Sequence, residues 1–219
     1  MILLSDPRIA AIAAAENGEP LIDLRTVPAL LLDDRQADPA GAYRQLRAAV
    51  VVRLLDAQES LPAGLRLLIF EGYRRLDSQR RIFEGYRAEL AALHPDWTEQ
   101  RLHIETSKFV SPVEVAPHST GGALDLTLCT RDGVELDLGT PLDATPEASD
   151  NACFTAATNI APEARRHRRI MADALRGAGL VNYPTEWWHW SYGDRYWAMA
   201  TGARQTRYAP IDLPAPVGS

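Results

Sequence analysis

Apolar positions recur along this chain with two different periods, and their succession lays out alternating helices and strands. From Tyr43 through Leu46, Val50, Leu54 and Leu55, apolar side chains return every three or four residues, which predicts a helix from about Ala40 to Glu59. Pro62-Ala63-Gly64 breaks it. Leu65-Arg66-Leu67-Leu68-Ile69-Phe70 then has the length and near-continuous apolarity of a buried strand. After a turn at Glu71-Gly72-Tyr73-Arg74, the residues Ile82, Phe83, Tyr86, Leu90 and Leu93 mark one face of a second helix, with Asp77 as its N-cap. His94-Pro95 ends that helix. Asp96-Trp97-Thr98-Glu99 has the form of a capping box for a third, running to about Thr106.

The flanking stretches are less regular. Ala10 to Ala15 predicts a short helix stopped at Asn17-Gly18, and Leu21 to Leu24 a short strand. Phe109 to Ala116 reads as extended, on its β-branched residues and Pro112. Leu126–Cys129 and Val134–Leu138 are expected strands joined by a hairpin turn at Arg131-Asp132-Gly133. Residues 139–160, rich in Thr, Pro, Asp, Ala and Asn, predict a long loop, and loops of that length in compact domains are more often functional than idle. Ala161 to Arg176 predicts a helix stopped by Gly177 and Gly179, its Arg165–Arg169 run a solvated face. Leu180-Val181 and Thr185 to Tyr192 are the last expected strands, before an irregular tail marked by Pro210, Pro214 and Pro216. No internal repeat divides the chain. The expectation is one α+β domain over residues 1–219, a small, mostly antiparallel sheet flanked by helices. Residues 1–39 are an extension packing on it, and 203–219 an irregular tail.

Composition narrows the class. Hydrophobic residues make up 46% of the 219 and charged residues 24%, as in a folded globular protein. The formal net charge of -6 argues against nucleic acid or an anionic membrane as partner. Cys129 and Cys153 match no metal-ligand spacing and are expected as buried free thiols. The first residues carry no basic stretch ahead of an apolar one, and no segment approaches the roughly 20 apolar residues of a membrane span. A cytoplasmic location is the expectation.

The candidate chemistry lies in Pro117-His118-Ser119-Thr120-Gly121-Gly122-Ala123-Leu124-Asp125. On one regular strand an odd separation would send the His118 and Asp125 side chains to opposite faces, but two glycines permit a turn that brings them together. A catalytic zinc takes three protein ligands and leaves a position for water. Glu186-Trp187-Trp188-His189 is the obvious source of the third, through His189. Glu186 is then placed for general acid–base work, with Trp187 and Trp188 as walls that exclude water. A lone histidine beside glycines is more often a hydrogen-bonded bystander, so the combination carries the argument. His94 sits at a helix end, His103 is explained by its helical neighbour Glu99, and His167 is embedded in arginines that would repel a metal. Arg74 follows a buried strand and could stabilise an oxyanion, against the plainer reading of a surface arginine.

Glu71-Gly72-Tyr73-Arg74, the stretch from His118 to Asp125 with Leu126-Thr127-Leu128 after it, and Glu186-Trp187-Trp188-His189 together resemble the D-alanyl-D-alanine dipeptidases of the vancomycin-resistance type. These are zinc peptidases related to D,D-carboxypeptidases and phage endolysins. The likeness runs in order from about Leu65 to Tyr192. It implies one zinc ion per chain held by His118, Asp125 and His189, with Glu186 as general base and Arg74 stabilising the tetrahedral intermediate. It further implies that Asp143, in Gly139-Thr140-Pro141-Leu142-Asp143, meets the amino end of a small dipeptide, with Tyr73 and Trp188 as further substrate contacts. Two positions depart from the family's pattern. Ala116 stands where a serine is common, and Arg75 follows Arg74 where a proline is usual, so a somewhat different dipeptide is implied. The expected activity is hydrolysis of D-alanyl-D-alanine or a similar D,D-dipeptide by zinc-activated water. D,D-carboxypeptidase or L-alanyl-D-glutamate peptidase action on cell-wall peptides, or a non-catalytic binding role, are the alternatives.

Overall fold

A computed structural model describes residues 2–107 and 109–213, so Pro214 and Pro216 of the expected tail lie outside the described residues. In chain order the elements are α1 (Pro7–Ala10), β1 (Leu21–Asp23), β2 (Leu31–Leu32), β3 (Gln45–Arg47), α2 (Ala48–Ser60), β4 (Leu65–Glu71), α3 (Leu76–Leu93) and α4 (Glu99–Ser107). They continue with β5 (Ala123–Thr130), α5 (Pro146–Ser149), α6 (Pro162–Gly177), β6 (Val181–Asn182), β7 (His189–Ser191) and α7 (Arg195–Thr201). Five strands form one sheet in the order β2-β4-β5-β7-β6, parallel only between β2 and β4. β1 and β3 pair separately. The fold is α+β, as expected.

The two long strands explain where the core and the site lie. Side chains alternate between the faces of a strand. Leu124, Leu126 and Leu128 of β5, with Leu67 and Ile69 of β4, join Val50 and Leu54 of α2 and Met171 and Leu175 of α6 in the main core. The alternate positions turn the other way: Cys129 packs with Leu68 and Phe70 in a second cluster, and Asp125 shares the face of Cys129. A register shift between Ile69 and Glu71 lets Glu71 stand opposite Asp125, and Asp125 in turn stands opposite His189. Three strands thus set three polar side chains in a row.

Several expected elements are corrected. The helix predicted from Ala40 begins only at Ala48, because Gly41 turns the chain at φ 66° and Gln45–Arg47 pair antiparallel with β1. Leu46 is buried through that pairing and Tyr43 through a 3₁₀ turn over Ala42–Arg44, so their apolar spacing is met without a helix. The helix predicted at Ala10–Ala15 lies at Pro7–Ala10, where Asp6 caps the Arg8 amide and Pro7 takes the first turn. The second helix starts at Leu76, so Asp77 is in its first turn and Arg75 is the N-cap. Thr98, not Asp96, caps α4: its hydroxyl accepts from the Arg101 amide at 3.3 Å. Val113–Val115 coil into a 3₁₀ turn inside the stretch read as extended. The hairpin turn at Arg131–Gly133 is present, but the strand expected after it is reduced to one bridge, Cys129 to Glu135. The 139–160 loop contains α5, and only His189–Ser191 of the Thr185–Tyr192 run is strand. Cys129 and Cys153 are buried and unbridged. Arg168 breaks the solvated-face reading of α6, being buried against that loop.

Candidate active site

His118 opens a 3₁₀ turn, His118–Thr120, that Gly121 closes at φ 71°, a left-handed conformation natural to glycine. Gly122 lies so close to β7 that a Cβ there would stand 2.5 Å from the Tyr192 carbonyl oxygen. The turn folds His118 back over Asp125, the third residue of β5. On β7, His189 ends a tight passage in which the Glu186 amide donates to Tyr183 O and the His189 amide to Glu186 O. The Asn182 side chain donates to both the Glu186 and His189 carbonyls at 3.0 Å, fixing that passage from the side.

The three expected ligands meet. His118 Nε2 lies 3.1 Å from His189 Nδ1 and 3.5 Å from Asp125 Oδ1, and the last two are 3.0 Å apart. All three residues are buried. Zinc bonds of about 2.0–2.1 Å in a tetrahedral arrangement separate ligand atoms by roughly 3.3 Å, so the spacing fits such an ion. The proton bookkeeping fits too. His118 Nδ1–H donates to the Gly72 carbonyl at 2.8 Å, which leaves a lone pair on Nε2. That lone pair faces the ring nitrogen of His189 and the Asp125 carboxylate, a concentration of acceptors that a divalent cation satisfies. Burial alone would raise the Asp125 pKa, but attraction and hydrogen bonds from His118 and His189 overcome it and hold the carboxyl well below the usual range.

Around these atoms is a cavity of about 240 Å³ whose lining includes Glu71, Arg74, Asp143, Glu186 and Trp188. Glu186 Oε2 is 3.9 Å from His189 Nδ1, and burial, with the Asp125 and Asp143 carboxylates nearby, pushes its pKa up to about 7. Arg74 is held from two sides. Its Nε donates to Glu71 Oε1 at 2.8 Å, a second bond joins Nη2 to Glu71 Oε2, and Nη1 donates to Gln79 Oε1 at 3.0 Å. Asp143, at φ 58°, keeps contact with solvent and accepts from Gln36 Nε2 at 2.7 Å. Its surroundings, chiefly burial against the cavity wall and then Asp125 and Glu71, push its pKa up to about 6.

One predicted residue lies elsewhere. Tyr73 is absent from this lining; its hydroxyl donates to Ile211 O at 2.8 Å and accepts from the Leu213 amide. Conversely, Glu71, Gln79 and Gln36 were not singled out from the sequence. Glu71 alone offered a signal, three residues before Arg74 in the same turn. The other histidines stand apart: His94 stacks on Trp97, His103 meets Phe83 at a tilt, and His167 Nδ1 hydrogen-bonds to the Asp137 carbonyl.

Fold and site together define a class: an α+β domain with a buried three-ligand metal site beside a cavity. Comparison with known proteins narrows it. The peptidase M15 family model, D-ala-D-ala dipeptidase, matches residues 33–206. The D-alanyl-D-alanine dipeptidase of Synechocystis sp. is 28% identical over 229 residues, covering 92% of this chain and 93% of its own. That of Escherichia coli is 30% identical over 128 residues, 58% of this chain and 55% of its own. Among solved structures, the vancomycin-resistance D,D-pentapeptidase VanY of a VanB-type cassette, in complex with Zn(II), superposes with a TM-score of 0.50 at 15% identity, covering 93% of each chain. The chain belongs to the D-ala-D-ala dipeptidase family of peptidases. No described helix is long and apolar enough to cross a membrane.

Proposed function

We propose that this protein is a zinc-dependent dipeptidase hydrolysing D-alanyl-D-alanine or a closely similar D,D-dipeptide. The observation that carries the reading is the convergence of His118 Nε2, Asp125 Oδ1 and His189 Nδ1 beside Glu186 on one small cavity. The zinc seen in the structural neighbour and the activity named for the two dipeptidase relatives support it. Zinc held by His118, Asp125 and His189 would supply a water of lowered pKa and polarise the scissile carbonyl. Glu186, beside the ligand atoms, would accept a proton at its carboxylate and pass it to the substrate's leaving amine. Burial raises the pKa of this carboxyl before any cation binds, which makes Glu186 a stronger base than an exposed carboxylate.

Arg74 is the oxyanion donor in this reading, with its guanidinium pre-set by Glu71 and Gln79 so that little reorganisation accompanies the reaction. Asp143 receives the substrate's free ammonium, whose arrival favours the ionised carboxylate. Trp188 forms a wall of the cavity and keeps water out. The Tyr73 hydroxyl is engaged by Ile211 and Leu213, so its part in this reading is to support the turn that carries Arg74. Arg75, in the place where the family's proline is usual, donates to the Leu213 carbonyl at 2.7 Å, which ties that departure to the tail rather than to the cavity. Two buried, unbridged thiols favour a reducing compartment, so we place the activity in the cytoplasm, in the turnover of cell-wall dipeptides.

The deciding experiment assays purified protein on D-Ala-D-Ala, L-Ala-L-Ala and a D-Ala-D-Ala-terminated pentapeptide, before and after chelation and zinc return. Hydrolysis restricted to the D,D-dipeptide and restored by zinc is expected, and cleavage of the pentapeptide alone would favour a carboxypeptidase. Glu186→Gln should keep its zinc, by elemental analysis, and lose turnover. Sustained turnover in that variant removes Glu186 from its role.

A further inference from the structure

We infer that a second cavity, beside the metal-site cavity, receives the side chain of the substrate's first residue, and that it suits one with an apolar stem and a cationic tip, the chemistry of lysine. The inference rests on the dipeptidase reading and assigns a specificity to that same site.

The sizes pose the question. The central cavity, at about 240 Å³, has room for two small residues and little more. The neighbouring cavity measures about 650 Å³. Phe109 lines both. At three further places the chain divides between them: Leu4 lines the central cavity and Leu3 its neighbour, Glu186 the first and Thr185 the second, Asp143 the first and Thr145 the second. The shared boundary therefore passes Glu186 and Asp143, the edge where the amino end of a dipeptide sits. A dipeptide whose amino end is seated there would carry its first side chain next to that boundary.

The lining says what kind of side chain. Tyr86 and Leu90 of α3, with Trp97, Phe109 and Phe154, give apolar and aromatic walls. Glu89, Glu105 and Glu147 add carboxylates; Glu89 and Glu147 are exposed and have no ion-pair partner among the described residues. Thr185, a residue 7% exposed, adds part of the wall next to Glu186. A lysine-like chain lays its methylenes on such walls and carries its ammonium to the acidic rim. A wholly apolar side chain would leave the carboxylates unused, and an acidic one would be repelled.

The test uses the zinc-loaded, full-length protein and four substrates: D-Ala-D-Ala, D-Lys-D-Ala, its Nε-acetylated form, and D-norleucyl-D-Ala. D-Lys-D-Ala is expected to reach at least the kcat/KM of D-Ala-D-Ala, and to exceed the acetylated and norleucyl substrates by about tenfold. Leu90→Trp fills the side cavity away from the metal ligands. It should lower kcat/KM for D-Lys-D-Ala by about tenfold or more while leaving D-Ala-D-Ala within about twofold. Glu147→Gln, on an exposed residue, should narrow the gap between the lysyl and acetyl-lysyl substrates, and it decides the matter should Leu90→Trp fail to fold. Wild-type preference for norleucyl over lysyl substrate, or equal slowing of both alanyl and lysyl substrates by Leu90→Trp, overturns the inference. Failure to cleave any of the four sinks the dipeptidase reading itself, a result distinct from cleavage of D-Ala-D-Ala alone.

Discussion

Arg74 shows how much depends on one side chain's partners. A guanidinium offers a planar fork of donors, and here the fork is spent on Glu71 and Gln79, which fixes the remaining edge toward the cavity. Lysine keeps the charge but presents a single ammonium that cannot hold both partners. Arg74→Lys is therefore expected to lower kcat by about 10²–10³, as for loss of an oxyanion donor, with a much smaller change in KM. Steady-state kinetics check it, and a variant that changed only KM would make Arg74 a ground-state contact. The sequence pointed to Arg74 but not to Glu71, because a glutamate ahead of a glycine turn is ordinarily solvated. Only the register shift in β4, which sets Glu71 opposite Asp125, reveals its place. Tyr73 lies one step away: it lines, with Glu71 and Arg74, the cavity that adjoins the metal-site cavity and is absent from the lining of the latter.

At the scale of elements, α6 is the case where composition misleads. Its run of arginines reads as a solvated face, yet its side chains hold the loop from Leu138 to Ile160, which has little regular structure to satisfy its own carbonyls. Arg165 donates to Thr158 O and Ile160 O at 2.9 and 2.7 Å. Arg168 donates to Leu138 O at 2.6 Å, to Phe154 O at 2.7 Å and to Ala152 O at 2.8 Å. Both ends of the segment carrying Asp143 are thus tied to one guanidinium. Arg168→Met removes every one of these donors and leaves buried carbonyls unpaired. A loss of about 2–4 kcal/mol is expected, less than the sum of the separate bonds because the loop can relax. The loosened loop should also raise KM for the dipeptide more than it lowers kcat, since Asp143 serves binding. Thermal unfolding and kinetics on the same preparation check both halves, and a destabilised variant with unchanged KM would separate the clamp from Asp143. Periodicity found α3, β4 and most of α6, where local pattern and burial agree. It misplaced the start of α2, where pairing of β3 with β1 outweighed helical spacing.

For the molecule as a whole, the site exists because the sheet brings together residues far apart in the chain, with His118 and His189 separated by 71 positions. The His–Asp–His set was legible because ligand chemistry restricts the residue types. The cavity around it was not, because much of its wall comes from α3, the loop after α4 and Leu4 near the N-terminus, none of which carries a chemical signature. Folding also imposes a proton balance on the site. Without a cation, burial first and then the neighbouring carboxylates raise the Glu186 pKa to about 7, so the folded apoprotein holds a proton there that the unfolded chain releases above its ordinary value of 4.5. The folded state binds more protons between these values, so this group's contribution to apoprotein stability falls as pH rises from about 5 to 7. A divalent cation beside Glu186 reverses the preference, because positive charge favours the carboxylate. Zinc uptake should then expel this proton, and zinc affinity should climb with pH up to about 8, by as much as tenfold per unit for this one proton. Competition titration against a chromophoric chelator at several pH values measures the slope. Glu186→Gln, which keeps the three ligands, should flatten it by close to one proton, whereas equal slopes in the two proteins would mean that Glu186 is already ionised before the metal arrives.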